Sequence, residues 1–163
     1  MTELGEIAPA FVGLAHSIVW CTVSTTDPAG RPRSRVLHPL WEWDGQELTG
    51  WIVTGRTPAK QAHLAHSPYA SCNYWAPSHD TCTAECAAEW VDDVPTKTRV
   101  WELFTNTPAP LGYDPGAIGV PGWTGPESPH VSVLRLRPWR LRVMPGENIQ
   151  KGFKAMSWRA KPS

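Results

Sequence analysis

The sequence predicts a mainly β (α+β) fold, a small closed or nearly closed antiparallel β-barrel with short peripheral helices. Three observations carry that expectation. Thirteen Gly and 17 Pro in 163 residues leave intervals too short for a long-helix bundle or coiled coil, Pro alone running near twice its usual share of about 5%. Runs rich in β-branched and aromatic residues recur between turn signals, as short strands do. Stretches of helical period are brief and lie between those runs. Hydrophobic residues make up 41% of an 18.0 kDa chain, enough for one core, so residues 1–163 read as a single domain.

From Glu6 to His16, the residues Ile7, Phe11, Leu14 and Ala15 recur at helical spacing and predict a short amphipathic helix lying over the core. Ile18 to Ser24 is extended in composition, Asp27-Pro28-Ala29-Gly30 supplies a turn, and Arg33 to Trp43 resumes as a second extended run. Asp44-Gly45 marks another tight turn before Glu47 to Thr54. Three successive antiparallel strands are therefore expected. Thr57 as cap and Pro58 in the first turn open a helix that ends at Ser67-Pro68. Strands come next at Tyr69 to Trp75 and Thr81 to Val91, then a helix from Thr96 to Phe104. The Pro- and Gly-rich stretch from Thr107 to Pro129 is a long loop of a length that often serves function. It is expected either to shape the substrate side or to pack on the surface. His130 to Arg142 supplies one or two last strands, and a basic tail from Pro145 carries Trp158.

Fifteen basic and 15 acidic side chains give zero net charge, which removes the electrostatic case for nucleic acid or an anionic membrane as partner. The signs are unevenly placed. Ser78 to Glu127 holds eight acids against Lys97 and Arg99, and the stretch from His130 onward holds eight bases against Glu147. These stretches are expected to meet, within one chain or across a dimer. No export signal and no membrane span is read, so the chain is expected in the cytoplasm with Cys21, Cys72, Cys82 and Cys86 as free thiols.

The strongest constellation joins Arg31, Arg33 and Arg35, expected on one strand face, with Thr54, Arg56, Thr57 and Lys60 around the turn into a helix. Guanidinium forks, an ammonium, hydroxyls and helix N-terminal amides together make a phosphate site. A solvated edge strand guarded by arginines has the same composition, and composition does not decide between them.

Arg33-Ser34-Arg35-Val36-Leu37, Asp44-Gly45, Trp51-Ile52-Val53-Thr54 with Lys60 six residues on, and Ser67 to Trp75 together resemble the flavin-binding core of the pyridoxamine 5'-phosphate oxidase-like split β-barrels. About half the chain is covered, and the strand from Cys82 to Val91 with the helix bearing Trp101 resembles the next strand and helix of that superfamily. The resemblance implies an antiparallel split β-barrel and an FMN-dependent oxidoreductase acting on a small-molecule substrate, usually a homodimer with the flavin at the interface. It implies that Arg35 and Lys60 grip the terminal phosphate, with Arg33 or Arg56 as alternatives to make up a charge the family pattern has and this chain lacks. Val36 and Leu37 would present backbone along the ring, Thr54 and Thr57 would bond phosphate or ribityl oxygens, and Val53 would be a further cofactor-binding residue. Pro58 stands where the family usually has Ser, and Ala59 where it has a basic residue. One phosphate donor and one charge are thus missing, which keeps the deazaflavin F420 as the alternative cofactor. Haem binders and non-catalytic carriers share the superfamily.

Most of the ten Trp are expected to be core or interface anchors; Trp51 and Trp75 fall in the resembling segments and are expected nearest a ring. No catalytic side chain is assigned, and His38 is either packed or functional. His79, Cys82 and Cys86 lack tight ligand spacing, with Cys82 and Cys86 about 13 Å apart along a strand; His63 and His66 are spaced for a metal on a helix, but a lone helical pair is a weak signal, so no metal is expected. No GxSxG motif is present.

Overall fold

Glu3 and Glu6 set where the first helix begins. The Glu6 carboxylate accepts the Glu3 N–H at 3.4 Å, so α1 runs Leu4–Ile18, longer at both ends than the apolar spacing suggested. The computed structural model describes residues 1–161. Helix α1 buries Ile7, Ala8, Phe11 and Ala15 over one end of the barrel. Phe11 meets Trp41 edge-on at 5.0 Å and Tyr74 at 6.2 Å, and truncating such a residue costs about 3–5 kcal/mol.

Strands β1 (Cys21–Thr26) and β2 (Pro32–Leu37) form the expected hairpin, and β3 (Leu40–Trp43) and β4 (Leu48–Thr54) form a second one. The run from Arg33 to Trp43 is not one strand. His38 and Pro39 break it, because Pro39 has no N–H for a ladder and restricts the residue before it. Three consecutive paired strands are therefore corrected to two hairpins. Ile18, expected to open a strand, closes the helix instead.

Helix α2 (Pro58–His66) leads to β5 (Tyr69–Trp75) and β6 (Thr81–Val91), both with the expected bounds. Helix α3 (Val94–Asn106), capped by Asp93, precedes the long loop and β7 (Ser132–Met144). A 3-10 turn at Gly146–Ile149 leads to β8 (Met156–Arg159) in the tail. The strand order is β2-β1-β5-β6-β7-β4-β3, with β8 on β7. All pairings are antiparallel. Strands β2 and β3 are thus the two ends of this path, although only His38 and Pro39 separate them in sequence. The barrel is split there.

Two cores flank the sheet. One joins α1 to the inward residues of β5 and β6, where Cys72, Tyr74, Cys82, Ala84 and Cys86 point in. The other lies under α3 and the long loop, around Val53, Trp51, Val100, Phe104 and Trp123. Gly50 is required in the first, since a Cβ there would lie 2.6 Å from the Trp41 ring. The acidic and basic stretches meet within the chain: Arg140 pairs with Glu85 at 2.7 Å, and Arg135 and Arg137 with Glu89 at 2.8 and 3.1 Å. Among the described residues, no helix is long and apolar enough to cross a membrane.

Candidate cofactor clamp and cleft

Position along β2 separates the three arginines. Arg31 precedes the strand and Arg33 lies near the turn, and both meet the buried Asp27, at 2.9 and 3.6 Å. The Asp27 carboxyl is held down to about 2, chiefly by the backbone N–H of Arg31. Arg35, further along, turns toward the barrel mouth. Its Nη1 donates to Thr25 Oγ1 at 2.7 Å and to the Val23 carbonyl at 3.2 Å, and its Nη2 lies 3.4 Å from His63 Nδ1. Thr25 Oγ1 is also 2.9 Å from that His63 nitrogen.

Lys60 comes to the same mouth from α2. Thr57 caps that helix by accepting the Lys60 N–H at 3.3 Å, which fixes where the lysine stem starts. Its Nζ donates to Thr54 Oγ1 at 2.7 Å and to the Gly55 carbonyl at 3.3 Å. Arg35 and Lys60 line one apolar hollow with Val23, Leu37, Ile52 and Leu64. Burial pulls the pKa of each cation down, and a neighbouring positive charge adds to it: Arg33 acts on Arg35, and Arg35 on Lys60. Neither is among the salt bridges of the described residues. Two half-buried cations side by side, facing hydroxyls and no carboxylate, are disfavoured alone and complemented by a dianion. The donor set fits a phosphate monoester.

Next to the clamp lies a cleft of about 410 Å³, lined by Val36, Leu37, His38, Val53 and Thr54 from the barrel and by Trp20, Pro110, Tyr113, Ile118 and Trp123. Leu37 borders both spaces. No acidic or basic side chain other than His38 lines the cleft. The long loop therefore does wall the space beside the predicted ring-contact residues. Gly112 allows its tight start, since a Cβ there would meet the Thr107 carbonyl oxygen at 1.7 Å.

His38 lies at the split between β2 and β3, packed against Trp20 at 4.9 Å, Tyr113 at 5.2 Å and Phe104 at 6.0 Å. Its Nε2 is buried without a hydrogen-bond partner, a state that costs about 1–3 kcal/mol. Burial lowers its pKa, with the Leu111 carbonyl acting the other way.

The structure brings Arg35, Val36, Leu37, Val53, Thr54, Thr57 and Lys60 to one side of the barrel. It does not bring Arg33 or Trp75 there. Arg33 is engaged by Asp27, and Trp75 is 54% exposed with its ring against His79 at 5.9 Å. Arg56 pairs with Asp92 and stacks over Trp90 at 4.6 Å. Trp51 is buried between Arg99 and Arg135, its Nε1 donating to Glu42 at 2.6 Å, so it faces the second core rather than the cleft. Sequence reasoning misses Thr25 and His63 in the clamp and Trp20 in the cleft. In sequence His63 stands out only beside His66, as a metal pair, and strand pairing across the barrel has no local sequence mark. The four cysteines are buried and free. Among the described residues, no His, Cys, Asp and Glu cluster could hold a metal.

No protein-family model and no curated protein matches the chain. Solved structures do. A protein related to general stress protein 26, of the pyridoxinephosphate oxidase family, from Clostridium acetobutylicum is 15% identical, with a TM-score of 0.68 over 95% of both chains. A pyridoxamine 5'-phosphate oxidase-related, FMN-binding protein from Nostoc punctiforme is 14% identical, with a TM-score of 0.66 over 99% of both. An F420 reductase is 16% identical, with a TM-score of 0.57 over 80% of this chain and 94% of its own. The open seam between β2 and β3, the strand order and these likenesses together identify the fold as the pyridoxamine 5'-phosphate oxidase-like split β-barrel.

Proposed function

We propose that the chain binds FMN and serves as a flavin-dependent oxidoreductase for a small-molecule substrate. The observation that carries this reading is the pair Arg35 and Lys60, adjacent, half-buried and without a carboxylate. Arg35 and Lys60 would hold the phosphate, and the free hydroxyl protons of Thr54 and Thr57 would meet its oxygens. Val36, Leu37 and Val53 present an apolar wall for the ring. When bound, the flavin supplies hydride acceptance, and the chain supplies binding, orientation and exclusion of water.

F420 is the second reading for the cofactor. It is favoured by Pro58 and Ala59, which provide neither the hydroxyl nor the charge of the family pattern, and by Arg33 and Arg56, which already pair with acids. A chain that binds the cofactor without turnover uses the same clamp. Absorbance of purified protein, then bleaching with a reduced nicotinamide, tests the enzyme; a chromophore that persists indicates a carrier. Titration with FMN and with F420 in parallel decides the cofactor, and no binding of either overturns the reading.

A homodimer with the cofactor at its interface is part of the proposal. Its support is exposed apolar surface on β2 and β5, where Val36, Tyr69 and Trp75 are 62%, 57% and 54% exposed. Light scattering should return twice the 18.0 kDa of one chain; a mass of one chain refutes it. The cytoplasm is the proposed location, tested by fractionation.

A further inference from the structure

Helix α2 buries one of its nine residues, and that residue is His63, 5% exposed. Ala62 of the same helix is exposed and Leu64 only half-buried, so the helix turns a polar ring inward where an aliphatic side chain would cover the barrel without cost. A ring nitrogen taken out of water needs a hydrogen bond to offset the loss. Three contacts show where that bond goes. Arg35 Nη1 donates to Thr25 Oγ1 at 2.7 Å, an Arg35 Nη2 N–H points at His63 Nδ1 from 3.4 Å, and Thr25 Oγ1 lies 2.9 Å from the same nitrogen. A guanidinium has only protons to give, so Nδ1 offers its lone pair. The Thr25 oxygen receives Arg35, and its own hydroxyl proton goes to Nδ1. His63 is therefore neutral, with its proton on Nε2.

Arg35 needs such a hold. It stands opposite Val23 on β1, and its guanidinium is turned along that strand to Thr25. Arg33 and Lys60 are positive neighbours that favour its turning away, and its long stem loses rotamer freedom on being fixed. Lys60 is held separately, on Thr54 Oγ1 and the Gly55 carbonyl.

We infer that His63 is a positioning residue: as a neutral acceptor it holds the Thr25 hydroxyl, and through Thr25 it holds the Arg35 guanidinium beside Lys60 before an anion arrives. What this brace does for FMN rests on the cofactor reading above; the brace itself does not. Fixing the guanidinium in advance removes its ordering cost from the binding step, and a hydrogen bond between uncharged groups corresponds to about five- to tenfold in affinity.

The test uses the full chain and two readouts. Nitrogen NMR of the imidazoles, without ligand at neutral pH, should show His63 with Nδ1 unprotonated and Nε2 protonated, and Thr25→Val and Arg35→Ala should each move the Nδ1 resonance. A proton on Nδ1, or a resonance that ignores both substitutions, overturns the inference. In the second readout FMN is titrated at fixed salt. His63→Leu and Thr25→Val should each weaken it about five- to tenfold, and the double variant should lose no more than either alone. His63→Asn, whose Oδ1 falls where the imidazole has Nδ1, should restore most of the affinity. His63→Gln, whose amide lies at the level of Nε2, should bind as weakly as His63→Leu and stands in for it should Leu not fold. In the Arg35→Ala background His63→Leu should cost nothing further. A His63→Leu chain that binds like the parent, a loss that persists without Arg35, or equal binding by the Asn and Gln variants overturns the inference. A parent that binds no FMN sinks the cofactor reading instead, and the nitrogen resonances then decide the brace alone.

Discussion

The barrel mouth and the β6–β7 ladder use the same kinds of charge in opposite ways. On the ladder, three arginines reach across to glutamates, Arg140 to Glu85 and Arg135 and Arg137 to Glu89. These pairs are exposed to water and contribute little, about 0–1 kcal/mol each. At the mouth, Arg35 and Lys60 share a hollow instead, where burial lowers the pKa of both and the Arg35 charge adds to the lowering at Lys60. A net charge of zero hides this arrangement, because cancellation over the chain is not cancellation at a site. The ladder also removes one ground for association: the acidic and basic stretches satisfy each other inside one chain, so any dimer must rest on apolar surface.

Converting the mouth into a ladder is the most severe way to break the contrast. Lys60→Glu should pair with Arg35, lower FMN affinity by about a thousandfold or more through lost attraction and added repulsion, and leave the melting temperature equal or higher. A fall in melting temperature with intact FMN binding would show that the mouth is structural. Removing single cations has the next largest effect. Arg35→Ala and Lys60→Ala should each weaken FMN, or F420, by about ten- to hundredfold, as expected for a charge-assisted bond of about 1.5–3 kcal/mol. Arg31→Ala, whose partner is Asp27, should change little. The comparison is made at fixed salt, by fluorescence titration.

Acid sharpens the contrast further. Burial lowers the pKa of both His16 and His38, so the unfolded chain takes up these protons first as pH falls. The stability tied to their neutral forms is complete above about pH 6.5 and is lost on acidification until the lowered folded values are passed. Denaturant melts across this range should show that slope, and His38→Phe should flatten it in part. An unchanged slope would place the titration elsewhere. The smallest effect belongs to the ladder: Glu89→Ala should shift stability by about 1 kcal/mol or less and leave FMN affinity alone.

How far the sequence reaches depends on the range of the forces involved. Strands β5 and β6 are legible to the residue because turn chemistry at Ser67-Pro68, Trp75 to Thr81 and Asp92-Asp93 is local. The cap Thr57 with Pro58 is legible for the same reason. Pro39 carries the signal for the break between β2 and β3, but the apolar run through Leu37, Leu40 and Trp41 masks it. Strand β8 depends on the edge offered by β7 and shows only a faint alternation at Met156 and Trp158. In the site, Arg35 and Lys60 are found through a motif. The Thr25–His63 contact bridges 38 positions and exists only because β1 and α2 close on the same mouth.

The seam at His38 and Pro39 has a mechanical consequence. Elsewhere, separating two neighbouring strands means breaking a row of main-chain hydrogen bonds; between β2 and β3 there is no such row. The barrel therefore has one direction of low stiffness, running through the cleft. Amide exchange should register it as rapid labelling along the outer edge of β2 beside strong protection of β6, which is paired on both flanks. A molecule entering the cleft works along that compliant direction, so admitting it requires no backbone pairing to be given up.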